Sequence, residues 1–322
     1  MPFHVKSFLR SKEKILIIII FGIIFNDIPI SVKNYFIILR NKNIKKYITE
    51  KDPNNLKVCL CVVCKEENLY IKEFVETYKK LGFNHIFIYD NNDINGEKLE
   101  EVINENVKED FVTIINIRGH IGPQMDSYFD CYEKNNLIYD WLAFFDMDEL
   151  LILKKVNNIQ NFLMNPRYEY CEMIKINWKM ITDNNKLDYE NKSLKERFTE
   201  ESKNNIGDNT VYKVIVRGNL SNYSMRKINN PHYMFTSNQS CDSMGNIRFE
   251  GFIKPPKYKF VQLNHYKKTI KEFCKKIKKG DVFYKKFEGN YFQFHFNDFF
   301  QYNKKTKEKV EIFNKELNVS FN

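Results

Sequence analysis

Glycine and proline are scarce in this chain of 322 residues, with 11 and 8 residues respectively. Such a low content excludes Gly/Pro-rich repeats and long flexible linkers, and the sequence has no internal repeat or low-complexity block. Hydrophobic residues make up 43% and aromatic residues 15%, which excludes an intrinsically disordered chain. The sequence therefore predicts a folded protein of roughly one or two domains.

Basic residues outnumber acidic residues, since 51 Lys and Arg against 41 Asp and Glu give a net charge of +10. A basic balance suits nucleic acid, an anionic membrane surface or a phosphorylated substrate. We find no RNA-recognition, zinc-finger or helix-turn-helix signature, so we expect no nucleic acid partner. Much of the excess lies in residues 1–50 and 267–279. The second run is predicted to be a helix, either binding phosphate or membrane lipid or presenting a solvated face.

The first 50 residues contain an apolar run at residues 15–25, flanked by basic residues. This run is shorter than the roughly 20 residues of a spanning helix, and no clean signal-peptide cleavage site follows it. We expect residues 1–50 to associate with a membrane, as a short anchor or as an interfacial helix. The alternative is a helix that packs on the catalytic domain or on a partner subunit.

The seven cysteines are an odd number and lie mostly in apolar runs. A secreted disulfide framework more often has an even number on loops, and a zinc site needs a second Cys or His pair. Cys59, Cys61 and Cys64 share one strand-like run, so we expect buried core thiols there rather than metal ligands. The odd count also favours a cytoplasmic location.

Strand and helix patterns alternate from residue 57 onward. Strands are predicted at residues 58–64, 85–89, 111–117 and 141–145, and helices at residues 66–81, 97–104 and 125–136. This alternation predicts an α/β fold with right-handed crossovers and a parallel sheet. Ligands bind beyond the carboxyl ends of such strands, where Lys65, Asp90, Arg118 and Asp146 are expected.

Asp146 and Asp148 directly follow the predicted strand at residues 141–145. Two carboxylates at this spacing can share a divalent cation, and hard oxygen ligands suit Mg²⁺ or Mn²⁺ beside nucleotide phosphates. Acidic pairs are also common on solvated loops, so the spacing alone leaves both readings open.

The segment at residues 58–153 resembles GT-A nucleotide-sugar glycosyltransferases, and within them the family 92 and family 2-like group. The resemblance rests on residues 64–68 (Cys-Lys-Glu-Glu-Asn), 81–92, 124–131 and 141–150 (Trp-Leu-Ala-Phe-Phe-Asp-Met-Asp-Glu-Leu). It continues through residues 177–184, 196–198, 230–232, 265–266 and 269–273. It implies a GT-A (Rossmann-like), mostly parallel sheet flanked by helices over residues 51–281, with residues 282–322 as an aromatic extension.

The resemblance implies a metal site that holds Mn²⁺ or Mg²⁺ against the donor diphosphate. Asp146 and Asp148 are the implied ligands, with His265 arriving after a strand at residues 258–263. A structural role for His265 is the alternative, and His232 is a competing ligand or acceptor contact. In this role the metal offsets the charge that builds on the departing nucleoside diphosphate.

The resemblance also implies donor-binding residues. Asp90 is similar to the acid that contacts uracil or ribose, although residues 90–93 also suit a simple turn. Further donor contacts are expected from the following residues: Cys64, Lys65, Asn91, Arg118, Gln124 and Asp146. A UDP-sugar is the expected donor.

Inverting transfer needs a general base that takes the proton of the acceptor hydroxyl. The resemblance places an acid after the strand that contains Trp178, which implies Asp183, with Asp188 and Glu190 as rivals. The group often has a small or Gly-rich stretch after the Trp, whereas this chain has Lys-Met-Ile-Thr at residues 179–182.

We therefore expect a metal-dependent, inverting glycosyltransferase that moves a sugar from a nucleotide-sugar donor to a saccharide or lipid-linked glycan. The alternatives are a non-catalytic membrane-associated scaffold and a basic nucleic-acid-binding protein. The expected location is the cytoplasmic face of a bacterial inner membrane, with the Golgi lumen as the alternative.

Overall fold

The structure is a computed structural model that describes residues 46–47, 52–203, 207–220, 239–248, 253–280 and 290–322. The apolar run at residues 15–25 and His232 lie outside the described residues. Within the described part of the chain, no helix has the length and apolar character needed to cross a membrane.

The first half of the chain forms the expected parallel sheet. Its four strands are β1 (Val58–Cys64), β2 (His85–Asp90), β3 (Val112–Asn116) and β4 (Trp141–Phe144). They lie in the order β3-β2-β1-β4, and all three pairings are parallel. The connecting helices are α1 (Ile71–Lys80), α2 (Glu100–Lys108) and α3 (Gln124–Asn135). The α/β class, with a sheet flanked by helices, is therefore confirmed.

Burial explains why these segments form a sheet covered on both faces. All seven residues of β1 are buried, and its pattern is a continuous apolar run rather than an alternation. Helix α1 places Phe74, Val75 and Tyr78 on its buried face at helical spacing. It ends before Gly82, whose φ of +86° is a conformation that glycine adopts easily. A Cβ at this position would lie 2.8 Å from Oε1 of Gln160.

The second half adds a mixed set of strands. These are β5 (Glu149–Leu153), β6 (Met173–Ile181), β7 (Tyr212–Arg217), β8 (Ser240–Asp242) and β9 (Val261–Tyr266). β7 lies antiparallel between β4 and β6, β9 pairs parallel with β6, and β5 pairs antiparallel with β9. The first part of β6 pairs with β7 and its last part with β9, so this strand joins the two parts of the sheet. The short β8 pairs parallel with β6.

The strand predicted at residues 258–263 lies later in the chain than expected. β9 begins at Val261, and His265 lies inside the strand, opposite Glu149 of β5, rather than after it. The prediction placed the strand too early because polar Gln262 and Asn264 alternate with the apolar residues, and both pair with β5 in the sheet.

Five further helices complete the described structure: α4 (Ile159–Leu163), α5 (Leu194–Arg197), α6 (Ile270–Lys279), α7 (Tyr291–Tyr302) and α8 (Lys307–Leu317). Helices α6, α7 and α8 share a core of aromatic and aliphatic side chains that includes Phe273, Phe296, Phe299 and Phe313. The aromatic extension of the C-terminus therefore packs against the helix that precedes it. The domain boundaries expected at residues 51, 281 and 282 stay predictions.

Four cysteines form two disulfides, which corrects the expectation of a free thiol at Cys61, whereas Cys59 and Cys64 are buried free thiols as expected. Cys61 of β1 is bonded to Cys131 of α3, and Cys171 is bonded to Cys241 of β8. The list of free thiols is short: Cys59, Cys64 and Cys274. The partners of each disulfide lie 70 residues apart, so local sequence carries no sign of the pairing.

Thiol counting tests these assignments. In the native protein, we expect the four disulfide-bonded cysteines not to react with a thiol reagent. The three free cysteines should react only slowly, because they are buried. After unfolding without reductant, 3 thiols should react, and after reduction all 7 should react. Peptide mapping should find Cys61 linked to Cys131. Seven reactive thiols before reduction would contradict both bonds.

Candidate active site

The carboxyl ends of β1, β2 and β4 meet at one edge of the sheet. Cys64 ends β1 directly beside Asp90, the last residue of β2. Phe144 ends β4 beside Cys61, so Asp146, two residues later, lies near the level of Cys64. Arg118 follows β3 and reaches Asp90. The structure thus brings together the four strand-end positions that the sequence predicted.

Asp146 is held by three side chains from two elements. Its Oδ1 accepts hydrogen bonds from Nε2 of Gln124 at 2.8 Å and from the hydroxyl of Tyr128 at 3.0 Å. Both donors lie on α3, one turn apart. Its Oδ2 lies 2.8 Å from Nζ of Lys213. The Asp146 side chain keeps 29% exposure, so the carboxylate is fixed in position and still faces the cleft.

Lys213 is the buried cation of the site. Its side chain is 0% exposed and projects from β7, the antiparallel neighbour of β4. Burial alone would lower the pKa of Lys213, but the carboxylates of Asp146 and Glu149 outweigh it and raise the pKa. No sequence motif pointed to Lys213. Its only signal was a lysine inside the apolar run Tyr212–Arg217.

Glu149 follows Asp146 and Asp148, the acidic pair, in the chain and is fully buried. Its Oε2 accepts a hydrogen bond from the backbone N–H of Asp146 at 2.8 Å, and its Oε1 accepts one from Nε1 of Trp178 at 2.5 Å. Burial raises the pKa of Glu149 well above its ordinary value, although Lys213 opposes the shift. Glu149 therefore fixes the turn that carries Asp146 and Asp148.

Asp148 is buried and contacts two basic side chains. Its Oδ2 accepts a hydrogen bond from Nζ of Lys276 at 2.6 Å and lies 3.6 Å from Nε2 of His265. Burial alone would raise the pKa of Asp148, but Lys276 and His265 outweigh it, and the pKa falls well below 3.8. The carboxylate of Asp148 is thus already paired with the ammonium group of Lys276.

His265 lies beside Asp148 from within β9 and is enclosed, and its role as a metal ligand stays a prediction. Its ring packs edge-on against Trp178, with centroids 4.3 Å apart, and burial lowers its pKa. Its Nδ1 has no hydrogen-bond partner among the described residues. The ring of His265 therefore lies between Trp178 and Asp148.

Helix α6 and the residues before it bring further lysines to this edge. Nζ of Lys268 lies 3.3 Å from Oε2 of Glu67 and 3.5 Å from the centre of the Tyr70 ring. Nζ of Lys279 lies 2.7 Å from Oε1 of Glu67 and also donates to the carbonyl of Lys65. Burial alone would raise the pKa of Glu67, but these two lysines outweigh it and lower the pKa. One side of the lysine-rich run therefore faces the site.

The expected donor side is ordered by hydrogen bonds within its own loops. Oδ2 of Asp90 accepts from Nε and Nη2 of Arg118 at 2.8 and 2.7 Å, and Asp90 is only 2% exposed. Nδ2 of Asn91 donates to the carbonyls of Ile117 and His120. Nζ of Lys65 lies 3.7 Å from Oδ1 of the exposed Asp93. Asp90 and Asn91 thus shape the loop, and Lys65 lies at its surface.

Asp183, the expected base, is enclosed in a buried ion pair. Its Oδ2 lies 2.5 Å from Nζ of Lys309 on α8, and its Oδ1 accepts from the backbone N–H of Asn185 at 2.8 Å. Its own N–H donates to Oδ1 of Asn303 at 2.7 Å. Burial raises the pKa of Asp183, with Lys309 opposing. The structure therefore gives Asp183 a visible role in binding the C-terminal helices, and its role as a base stays a prediction.

The residues expected to bind a metal do not fit one. No group of three His, Cys, Asp or Glu side chains in the described ranges is arranged to hold a metal ion. Both oxygens of Asp146 are engaged, one of them by the buried Lys213, and Asp148 is paired with Lys276. A divalent cation at this position would have to lie beside two ammonium groups. The donor set of Asp146, Asp148 and His265 thus departs from the expected metal site.

A family model described as Glycosyltransferase family 92 matches residues 54–310. This match covers most of the chain, and the protein belongs to glycosyltransferase family 92. A family 92 protein of Ricinus communis is 26% identical over 113 residues, which are 34% of this chain and 19% of that protein. One of Oryza sativa subsp. japonica is 26% identical over 112 residues, 34% of this chain and 18% of that protein. The matched part thus spans under a fifth of these curated relatives.

Two solved structures align with the chain at low similarity. S. aureus TarS 1-349 in complex with UDP-GlcNAc aligns over 82% of this chain and 72% of that chain, with 10% identity and a TM-score of 0.42. A mannosyltransferase of Pyrobaculum calidifontis in complex with GDP-Man and Mn²⁺ aligns over 46% of this chain and 44% of that chain, with 10% identity and a TM-score of 0.29. Similarity at this level carries no argument about donor or metal.

The Asp183–Lys309 pair yields a stability prediction. Replacing Lys309 by Met leaves a buried carboxylate without its cation, so we expect the free energy of unfolding to fall by about 3 kcal/mol. Urea denaturation measures the change. The double variant Asp183→Asn/Lys309→Met should regain more than half of the loss. Lys307→Met, at a side chain that is 91% exposed, is the matched control. A loss as small as that of the control would contradict the buried pair.

The lowered pKa of Asp148 predicts a pH dependence of stability. A carboxylate with a lowered folded-state pKa contributes stability above its unfolded value, here 3.8, and loses it as the pH falls through the folded value. Relative to Asp148→Asn, the native protein should be more stable by about 2 kcal/mol at pH 7. This difference should shrink as the pH falls below 3.8. Urea denaturation at pH 7 and at several pH values below 3.8 checks it, and an unchanged difference would contradict the ion pairs.

Proposed function

We propose that this protein is a glycosyltransferase that moves a sugar from a nucleotide-sugar donor to a saccharide or lipid-linked glycan. Its membership of family 92 supports the reaction class. The observation that carries the proposal is the meeting of Cys64, Asp90 and Asp146 at the carboxyl edge of the parallel strands. Open α/β sheets bind ligands at this edge.

The proposed donor is a nucleoside diphosphate sugar, with UDP as the favoured nucleoside diphosphate. The nucleoside would lie over the ends of β1 and β2, where Arg118 fixes Asp90 and where Lys65 lies at the surface. Asp146 would accept hydrogen bonds from donor hydroxyl groups, because its carboxylate is oriented by Gln124 and Lys213 and still 29% exposed. Fixed acceptors of this kind hold the sugar in one orientation.

The proposed stereochemical course is inversion. The acceptor oxygen bonds to the anomeric carbon while the bond from that carbon to the diphosphate oxygen breaks. The proton of the acceptor hydroxyl passes to a general base, for which we keep Asp183. Its raised pKa suits a base, whereas its ion pair with Lys309 opposes the role. A movement of α8 away from Asp183 would be needed before the carboxylate could meet the acceptor.

The two disulfides change the location that we propose for this protein from a cytoplasmic membrane face to the Golgi lumen. Disulfides persist in oxidising compartments and are rare where thiols are kept reduced. The Cys61–Cys131 and Cys171–Cys241 bonds support the Golgi lumen, the alternative weighed above, over a cytoplasmic membrane face. Membrane association through residues 1–50 stays part of the proposal, since nearly all of that segment lies outside the described residues.

A donor panel tests the reaction. We expect the purified protein to hydrolyse or transfer sugar from at least one nucleotide sugar, assayed both with MnCl₂ and with EDTA. Asp146→Asn should lower turnover about 100-fold because it removes a fixed acceptor at the donor. Gln124→Met, which leaves the ion pair with Lys213 in place, should lower turnover about tenfold.

Asp130→Asn is the matched control for this panel. Asp130 lies on α3, where it pairs with Lys134 and accepts a hydrogen bond from the hydroxyl of Tyr89, an acceptor that Asn retains. Circular dichroism of each variant separates loss of fold from loss of activity. If no nucleotide sugar is bound or consumed in either buffer, the transferase proposal fails and the non-catalytic alternative replaces it.

A further inference from the structure

The acidic pair at the carboxyl edge already carries its own cations. We propose that the donor diphosphate is bound by lysines of the α6 region, chiefly Lys276, and that it binds without a divalent metal ion. This inference rests on the proposed function, because it names the group that receives the diphosphate of the same donor.

The first step concerns Asp146. Its Oδ2 is paired with Lys213, whose side chain is completely buried on β7. This ammonium group is held in place, because moving it into water would separate it from Asp146 and Glu149, which offset the cost of its burial. A metal bound to Asp146 would therefore be repelled by a fixed positive charge.

The second step concerns Asp148 and Lys276. Nζ of Lys276 lies 2.6 Å from Oδ2 of Asp148, where a metal ligand bond would otherwise form. The side chain of Lys276 is 42% exposed, in contrast to the 5% exposure of Asp148. An ammonium group has three donor hydrogens, so this nitrogen can contact Asp148 and a phosphate oxygen together. Lys276 is thus an anchored cation at the surface of the cleft.

The third step is the balance of charge. Four carboxylates are gathered here: Asp146, Asp148, Glu149 and Glu67. Four lysines face them: Lys213, Lys268, Lys276 and Lys279. Even with Glu149 counted as ionised, although burial raises its pKa, these acids do not outnumber the four lysines, so the described groups present no surplus negative charge to a dication. A diphosphate, in contrast, meets the partly exposed Lys276. Positively charged side chains can stabilise a departing phosphate in place of a metal.

Calorimetric titration with UDP, and separately with GDP, tests the inference. The native protein is titrated in EDTA and in MnCl₂, and we expect the two dissociation constants to agree within about threefold. Lys276→Met should weaken binding at least about tenfold in both buffers, since it removes a charge-assisted hydrogen bond. Lys276→Arg should restore most of the affinity.

Lys278→Met is the matched control, because Lys278 lies on the same helix, is 49% exposed and pairs with Glu316 instead. Its affinity should stay within about twofold of the native value. Binding that is at least about tenfold tighter with MnCl₂ than with EDTA would overturn the inference alone. Unchanged affinity in Lys276→Met would also overturn it. Failure of both nucleotides to bind in either buffer would instead reject the proposed function, and this inference with it.

Discussion

The ion pair between Lys213 and Asp146 is the interaction on which the rest of the site depends. A lysine with no exposed side-chain surface is costly to bury unless carboxylates surround it. Asp146 and Glu149 supply that charge, and Glu149 also accepts hydrogen bonds from the Asp146 N–H and from Trp178. The antiparallel insertion of β7 beside β4 is what brings Lys213 to this position. The order of the strands in the sheet therefore determines which charged side chain lies beside Asp146.

The two acids of the pair have different environments although only one residue separates them. Asp146 is held from α3 and β7 and remains partly open to the cleft, whereas Asp148 is buried beneath Lys276 and beside His265. Strand β6 links both environments, because its first part pairs with β7 and its last part with β9. The C-terminal helices reach the end of the same strand through Asp183 and Lys309. The surroundings of Asp146, Asp148 and Asp183 are thus linked through one continuous strand.

Local pattern was sufficient to predict the parallel half of the fold. β1 was predicted with the bounds that the structure shows, and the meeting of Asp90, Arg118 and Asp146 followed from the rule for strand ends. Lys213 was missed because a single lysine in an apolar strand indicates nothing about its partner across the sheet. The disulfides were missed for a related reason, since pairing depends on which strands and helices become neighbours.

The lysine-rich run at residues 267–279 shows a second limit of sequence patterns. Helical periodicity indicates that some lysines share a face, but it does not indicate what that face packs against. In the structure, Lys268 and Lys279 face Glu67, while Lys271 and Lys278 pair with other surface acids. The solvated-face prediction therefore describes one side of the run, and phosphate binding stays a proposal for the other side.

The Cys61–Cys131 bond constrains α3, the helix whose side chains orient Asp146. Cys131 lies on the same face of α3 as Gln124 and Tyr128, the two residues that orient Asp146. The bond ties this helix covalently to the central strand, so a molecule folded under reducing conditions would position the same aspartate through packing alone. The disulfide thus adds a covalent constraint to the geometry of one carboxylate.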